Sequence, residues 1–105
     1  MKRASFEEMN CSVARSLEVI GEWWTLLIIR DLALGKKRFN ELEKSLGGIS
    51  AKTLSERLRS LEQGGIITRQ AYAEIPPRVE YDLTEKGQAL LSLIDNMREY
   101  GQRWL

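Results

Sequence analysis

Between Ile49 and Arg69 the chain reads ISAKTLSERLRSLEQGGIITR, and its polar residues are spaced to act as a set. On a helix advancing 100° per residue, Leu58 and Leu61 fall within about 40° of Leu54, and the three make one narrow apolar seam. Lys52, Glu56, Arg59 and Gln63 occupy the far side, with Thr53 and Ser55 at its edges. Such a row can simply solvate a surface helix, as most helices of this pattern do. It can also hydrogen-bond the base edges and phosphates of a nucleic-acid groove, a use that needs a helix largely clear of the core. Arg57 flanks the seam, where an internal ion pair and a phosphate contact are equally open to it. Further guanidinium groups come from Arg38, Arg69 and Arg78. The one thiol, Cys11, is either a small packing residue or a nucleophile.

Composition narrows the chemistry further. The chain has no histidine, which excludes Ser-His and Cys-His catalysis and histidine-ligated zinc. A single cysteine excludes a cysteine-built zinc site within one chain, and no glycine-rich phosphate loop of either common spacing occurs. The acidic pairs Glu7-Glu8 and Glu41/Glu43 sit among polar neighbours and read as solvated. Neither catalysis nor a cofactor is therefore expected. The net charge is only +1, but residues 36–69 hold eight basic and four acidic groups, while the flanking segments are net −1 and −2. Positive charge gathers around the polar helix, as contact with a polyanion requires.

At 105 residues, with 43% apolar and 30% charged residues, the chain reads as one folded domain, 1–105, of cytoplasmic type. No apolar run approaches the 18 to 20 or so residues that span a bilayer. The opening MKRASFEEMN lacks the apolar stretch of a signal peptide. No membrane contact is expected.

The elements that must position these residues follow from periodicity. Val13, Leu17 and Ile20 give a short first helix closed by Gly21. Trp23 to Leu34 is apolar nearly all round and reads as a buried central helix. Lys36-Lys37-Arg38 is a basic connector, and Phe39, Leu42 and Leu46 share one face of a third helix. After Gly47-Gly48, with Ile49 as a buried plug, Ser50 can cap the polar helix by accepting from the N–H of Thr53. Gly64-Gly65 ends it. The period then changes to alternation, with a strand from Ile66 to about Glu74 and another through Val79, Tyr81 and Leu83. Pro76-Pro77 cannot donate to a ladder and makes the hairpin tip stiff, with Arg78 beside it. Thr84 and Glu85 start a final helix of about five turns. The expected architecture is mainly α with a small β-hairpin, a winged helix-turn-helix with extra N- and C-terminal dimerisation helices.

The same residues carry a family resemblance. Cys11-x-Val13-Ala14-Arg15, Val19-Ile20-Gly21-x-x-Trp24-Thr25-Leu26-Leu27-Ile28, Arg38-Phe39-Asn40-Glu41-Leu42 and Gly48-Ile49-Ser50-x-Lys52-x-Leu54 occur in order. Arg57-Leu58-x-x-Leu61-Glu62 and Pro76-Pro77-Arg78-Val79-Glu80-Tyr81-x-Leu83-Thr84 follow. Over about residues 11–100 the chain resembles the HxlR-type transcriptional regulators. That resemblance implies a homodimer that binds an inverted-repeat operator in double-stranded DNA as a repressor or activator, with the N-terminal cysteine as an oxidant or electrophile sensor. The chain departs from the family at Ser12, where relatives often carry proline, and at Glu22-Trp23, where they often carry Gly-Lys.

The expected DNA-facing set is Arg38, Ser50, Lys52, Thr53, Glu56, Arg57, Arg59, Arg69 and Arg78. Leu17, Leu93, Met97, Tyr100 and Trp104 are the expected dimer surface, and Cys11 the candidate redox-sensing residue. Two other uses of the same fold stay open at this point. One is control by a small molecule at the dimer interface. The other is a protein–protein module, which calls for an apolar rather than a basic face on the polar helix.

Overall fold

The computed structural model describes residues 11–105. The elements run α1 (Ser12–Ile20), α2 (Thr25–Leu32), β1 (Lys37–Arg38), α3 (Phe39–Ser45), α4 (Ala51–Gln63), β2 (Ile67–Tyr72), β3 (Arg78–Leu83), α5 (Glu85–Gln88) and α6 (Leu91–Trp104). The architecture is the expected one, mainly helical with a small antiparallel sheet. One core unites it: Ile28 and Ile29 of α2, Leu42 of α3 and the α4 seam meet Ile66, Ile67, Tyr81 and Leu83 from the wing and Ile94 from α6. Leu54, Leu58 and Leu61 are all buried, each contributing about 1.5–3 kcal/mol through apolar area removed from water. Ile49 is buried in the turn ahead of α4, so the helix is anchored at its entry and along one edge only.

Three elements differ from the sequence expectation, each for a local reason. The central helix begins at Thr25 rather than Trp23, because the Glu22 carboxylate accepts from the Trp24 N–H (2.8 Å) and the Thr25 hydroxyl (3.1 Å). That satisfies donors which would otherwise be orphaned at the helix start. Trp23 is left outside, 77% exposed. The helix ends at Leu32, and Gly35, at φ 129°, turns the chain away. The basic connector is not a loop. Lys37 and Arg38 form a short strand paired with Tyr81 and Glu80, so the wing is a three-stranded sheet of order β1-β3-β2.

The final helix is broken in two. Thr84 caps α5 by accepting from the Gly87 N–H (3.1 Å), and its own hydroxyl donates back to the carbonyls of Gly65 (2.6 Å) and Ile66 (3.0 Å). The N–H of Leu90 bonds to the Gly87 carbonyl, an i→i+3 closure that tightens the chain before α6 sets off. Gly87 allows this close approach. A Cβ there would collide with the Ile66 carbonyl oxygen and come within 3.1 Å of Leu83 Cδ2. Gly87→Ala is therefore expected to cost about 1–3 kcal/mol, as overpacking does. A thermal melt should show a fall of about 4–8 °C for each kcal/mol. An unchanged melting midpoint would mean that the contact of α5 with Ile66 is not tight in solution.

Candidate nucleic-acid interface

Ser50 sets where α4 begins. Its Oγ accepts from the Thr53 N–H (3.0 Å) and donates to the Thr53 hydroxyl oxygen (2.9 Å), so the cap fixes both the helix start and the side chain of Thr53. The C-terminal end is held as well, by the Lys86 ammonium on the Gly64 carbonyl (2.9 Å), a cation at the negative pole of the helix. Between these fixed ends Lys52, Glu56 and Arg59 are exposed, whereas Thr53 and Arg57 are half-buried. Most of the circumference of α4 is thus free of core contacts, with the polar row turned outward.

The structure also brings together residues far apart in sequence. Arg59 of α4 and Arg69 of β2 line one cleft together with Phe39 and Tyr81. Arg38, at the N-cap of α3, and Arg78, at the start of β3, line a second groove with Asn40 and Pro77. One pair of guanidinium groups therefore lies on the α4 side of the wing and one on the α3 side. Glu62 lines the first cleft and moderates its charge.

Arg78 is more constrained than its place beside two prolines suggests. Its guanidinium carbon sits 4.1 Å from the centre of the Tyr72 ring, and Nε lies 3.3 Å from Glu74 Oε2. Nε is buried and makes no hydrogen bond, so the pairing with Glu74 is electrostatic. Tyr72 and Arg78 meet because they are partners in the β2–β3 register. That cation–π and ion-pair clamp orients the remaining guanidinium N–H groups.

Cys11 occupies the N-cap position of α1 in extended backbone and is fully exposed. The N–H groups of Ala14 and then Val13 draw its thiol below the ordinary pKa, with Arg15 adding a smaller pull against slight desolvation. The sulfur makes no fully aligned capping hydrogen bond, so the effect is that of nearby aligned dipoles. Glu7 and Glu8, read as solvated, lie outside the described residues. The expected partner-facing residues are all exposed: Leu17 53%, Leu93 38%, Met97 51%, Tyr100 61% and Trp104 64%. In α6 only Ile94 is buried.

Comparison with known proteins agrees with this geometry. A family model described as HxlR-like helix-turn-helix matches residues 19–105. The chain belongs to the HxlR-like helix-turn-helix family. An HTH-type transcriptional regulator from Methanothermobacter thermautotrophicus is 40% identical over 98 residues, covering 93% of this chain and 75% of that protein. A solved transcriptional regulator assigned to the MarR family, from Porphyromonas gingivalis W83, superposes with a TM-score of 0.89 at 38% identity over 99% of this chain and all of that one. The redox regulator HypR in its oxidized form superposes with a TM-score of 0.84 at 40% identity, over 89% of this chain and 96% of that one. This HxlR-like chain is a helix-turn-helix transcriptional regulator, with the family and fold of transcription regulators rather than of enzymes. Among its described residues, no helix is long and apolar enough to cross a membrane.

Several positioning residues of this HxlR-like fold escaped sequence reasoning. Glu22, read only as a departure from the family's Gly-Lys, holds the start of α2 by accepting from Trp24 and Thr25. Lys86 ties α5 to the end of α4, and Thr84, read only as a helix start, also bonds back to the Gly65 and Ile66 carbonyls. Glu74 and Tyr72 clamp Arg78. The bonds of Glu22 span two and three residues and are local, whereas the Lys86 contact with Gly64 and the Tyr72–Arg78 pairing depend on tertiary register.

Proposed function

We propose that the chain, as one domain over 1–105, binds an inverted-repeat operator as a homodimer, with α4 laid in the major groove of each half-site. Lys52 and Arg59 contact phosphates, Thr53 and Glu56 face base edges, and Ser50 and Arg57 border the groove. Arg38, Arg69 and Arg78 meet the backbone beside the wing. The observation that carries this reading is α4 itself, capped at Ser50, held at Gly64, and bearing its polar row outward on a three-leucine anchor. A basic rather than apolar face favours nucleic acid over a protein partner. Alanine at Lys52 and Arg59 should weaken operator binding and flatten its salt dependence; unchanged affinity and salt slope in that double variant, with the fold intact, would contradict the reading.

Pairing of two copies is supported by what a single copy leaves uncovered. Val13 and Leu17 of α1, and Leu93, Met97, Tyr100 and Trp104 of α6, present large apolar side chains to solvent. Burying them between two copies places two α4 helices to read two half-sites.

Control runs through Cys11. Its lowered pKa makes the thiolate the more populated form at a lower pH than for an ordinary thiol, so its alkylation rate should fall only as pH drops through that lowered value. Oxidation joins two Cys11 thiolates, one from each copy, as a disulfide, the two electrons passing to an oxidant such as diamide. HypR, a redox regulator, has the same fold. Wild type is expected to lose or change DNA binding on diamide treatment, and Cys11→Ser to be unaffected; gel-shift titration of both checks it. Equal responses in the two proteins would remove Cys11 from the mechanism.

A further inference from the structure

The wing tip carries an apolar residue where a DNA-binding hairpin would be expected to carry a free cation. Ile75 is 102% exposed and is the one large apolar side chain of the wing left in solvent among the described residues. It stands between Glu74, whose carboxylate is engaged by Arg78, and Pro76-Pro77, which remove two backbone donors and restrict the turn. The acidic charge at the tip is therefore offset within the wing. What the tip offers outward is a branched hydrocarbon on a stiff support. Arg38 and Arg78 line the groove beside it, one from α3 and one from β3.

We infer that Ile75 is a minor-groove wedge: resting on the DNA-binding reading above, it packs against sugars and base edges in the minor groove next to the half-site that α4 reads. The minor groove is about 6 Å wide between two phosphate walls. A single branched side chain on a stiff turn fits that width, and cations at its base sit where the phosphate walls rise. Apolar side chains used in this way favour A·T pairs and deformable steps, because the exocyclic amino group of guanine obstructs the groove floor. Ile75 thus adds a sequence preference at positions that α4 does not touch.

The test uses a duplex selected by the wild-type protein from a random-sequence library, remade with either G·C or inosine·C pairs under the wing. Inosine keeps the major-groove pattern of guanine and removes only its minor-groove amino group. Wild type should bind the inosine duplex several-fold more tightly, and Ile75→Ala should bind both alike. Ile75→Ala should also weaken binding to the selected duplex about tenfold, from lost apolar burial, with no change in salt slope because no charge is removed. Ile75 touches no core residue, so a thermal melt of the variant should match wild type. Wild-type affinity and an undiminished inosine preference in Ile75→Ala would overturn the wedge. If Lys52→Ala weakens binding while Ile75→Ala does not, the wedge alone fails. If the wild type selects no duplex, the DNA-binding reading fails and takes the wedge with it.

Discussion

Replacing both Lys52 and Arg59 with alanine should lower affinity for the selected operator by about 10³-fold at 0.1 M salt. Each side chain neutralises one phosphate, and each neutralised phosphate releases about 0.9 of a counterion from duplex DNA. Two contacts per chain become four in the dimer, so the slope of log K against log salt should flatten by about 3.6. Both residues are exposed and neither caps α4, so the helix and its leucine anchor should survive the change. Isothermal or fluorescence titrations at several salt concentrations give the affinity and the slope together. A weakened affinity with the slope unchanged would mean that the two residues act on the helix rather than on DNA. Thr53 and Glu56 should behave differently, changing which bases are preferred with little effect on the slope.

A comparably large effect is expected from Met97→Glu combined with Tyr100→Glu. Both side chains stand in solvent on the far part of α6, beyond Leu91 and Ile94, which pack on the core, so the single copy should fold normally. Between two copies the same positions would place four carboxylates in an apolar contact, and burying unpaired charge there is costly enough to keep the copies apart. A monomer has half the base and phosphate contacts. Specific affinity should therefore fall by 10³-fold or more, towards the non-specific level of about 10⁻⁴–10⁻⁶ M. Light scattering or sedimentation should give the mass of one chain for the variant and of two for wild type. A variant that stays dimeric, or a wild type that is monomeric both free and on DNA, would remove α6 as the dimer surface.

Local chemistry made some of this structure legible and long-range register hid the rest. The Ser50 cap depends on residues three apart, and the leucine seam on residues three and four apart, so both could be placed from the order of residues alone. The wing strands were readable from alternation for the same reason. β1 was not, because two residues, Lys37 and Arg38, have no period, and only the pairing with Tyr81 and Glu80 makes them a strand. The break after α5 was hidden because Gly87 looks like a weak helix residue until Ile66 is packed against it. Among the candidate interface residues, the exposure of Lys52, Glu56 and Arg59 followed directly from the helical wheel. The meeting of Arg59 with Arg69, and of Arg38 with Arg78, needed the sheet to bring them together. The clamp on Arg78 needed the same: Tyr72 opposes it only in the particular β2–β3 register adopted.

Two α4 helices are expected to read one two-fold symmetric duplex together. Sequencing the duplexes that the wild-type protein enriches from a random-sequence library tests it most directly. The expected product is an inverted repeat with half-site centres about 10 base pairs apart, or a multiple of that spacing, so that both helices enter the major groove on one side of the DNA. Enrichment of an asymmetric single site, or of no sequence at all, would contradict it.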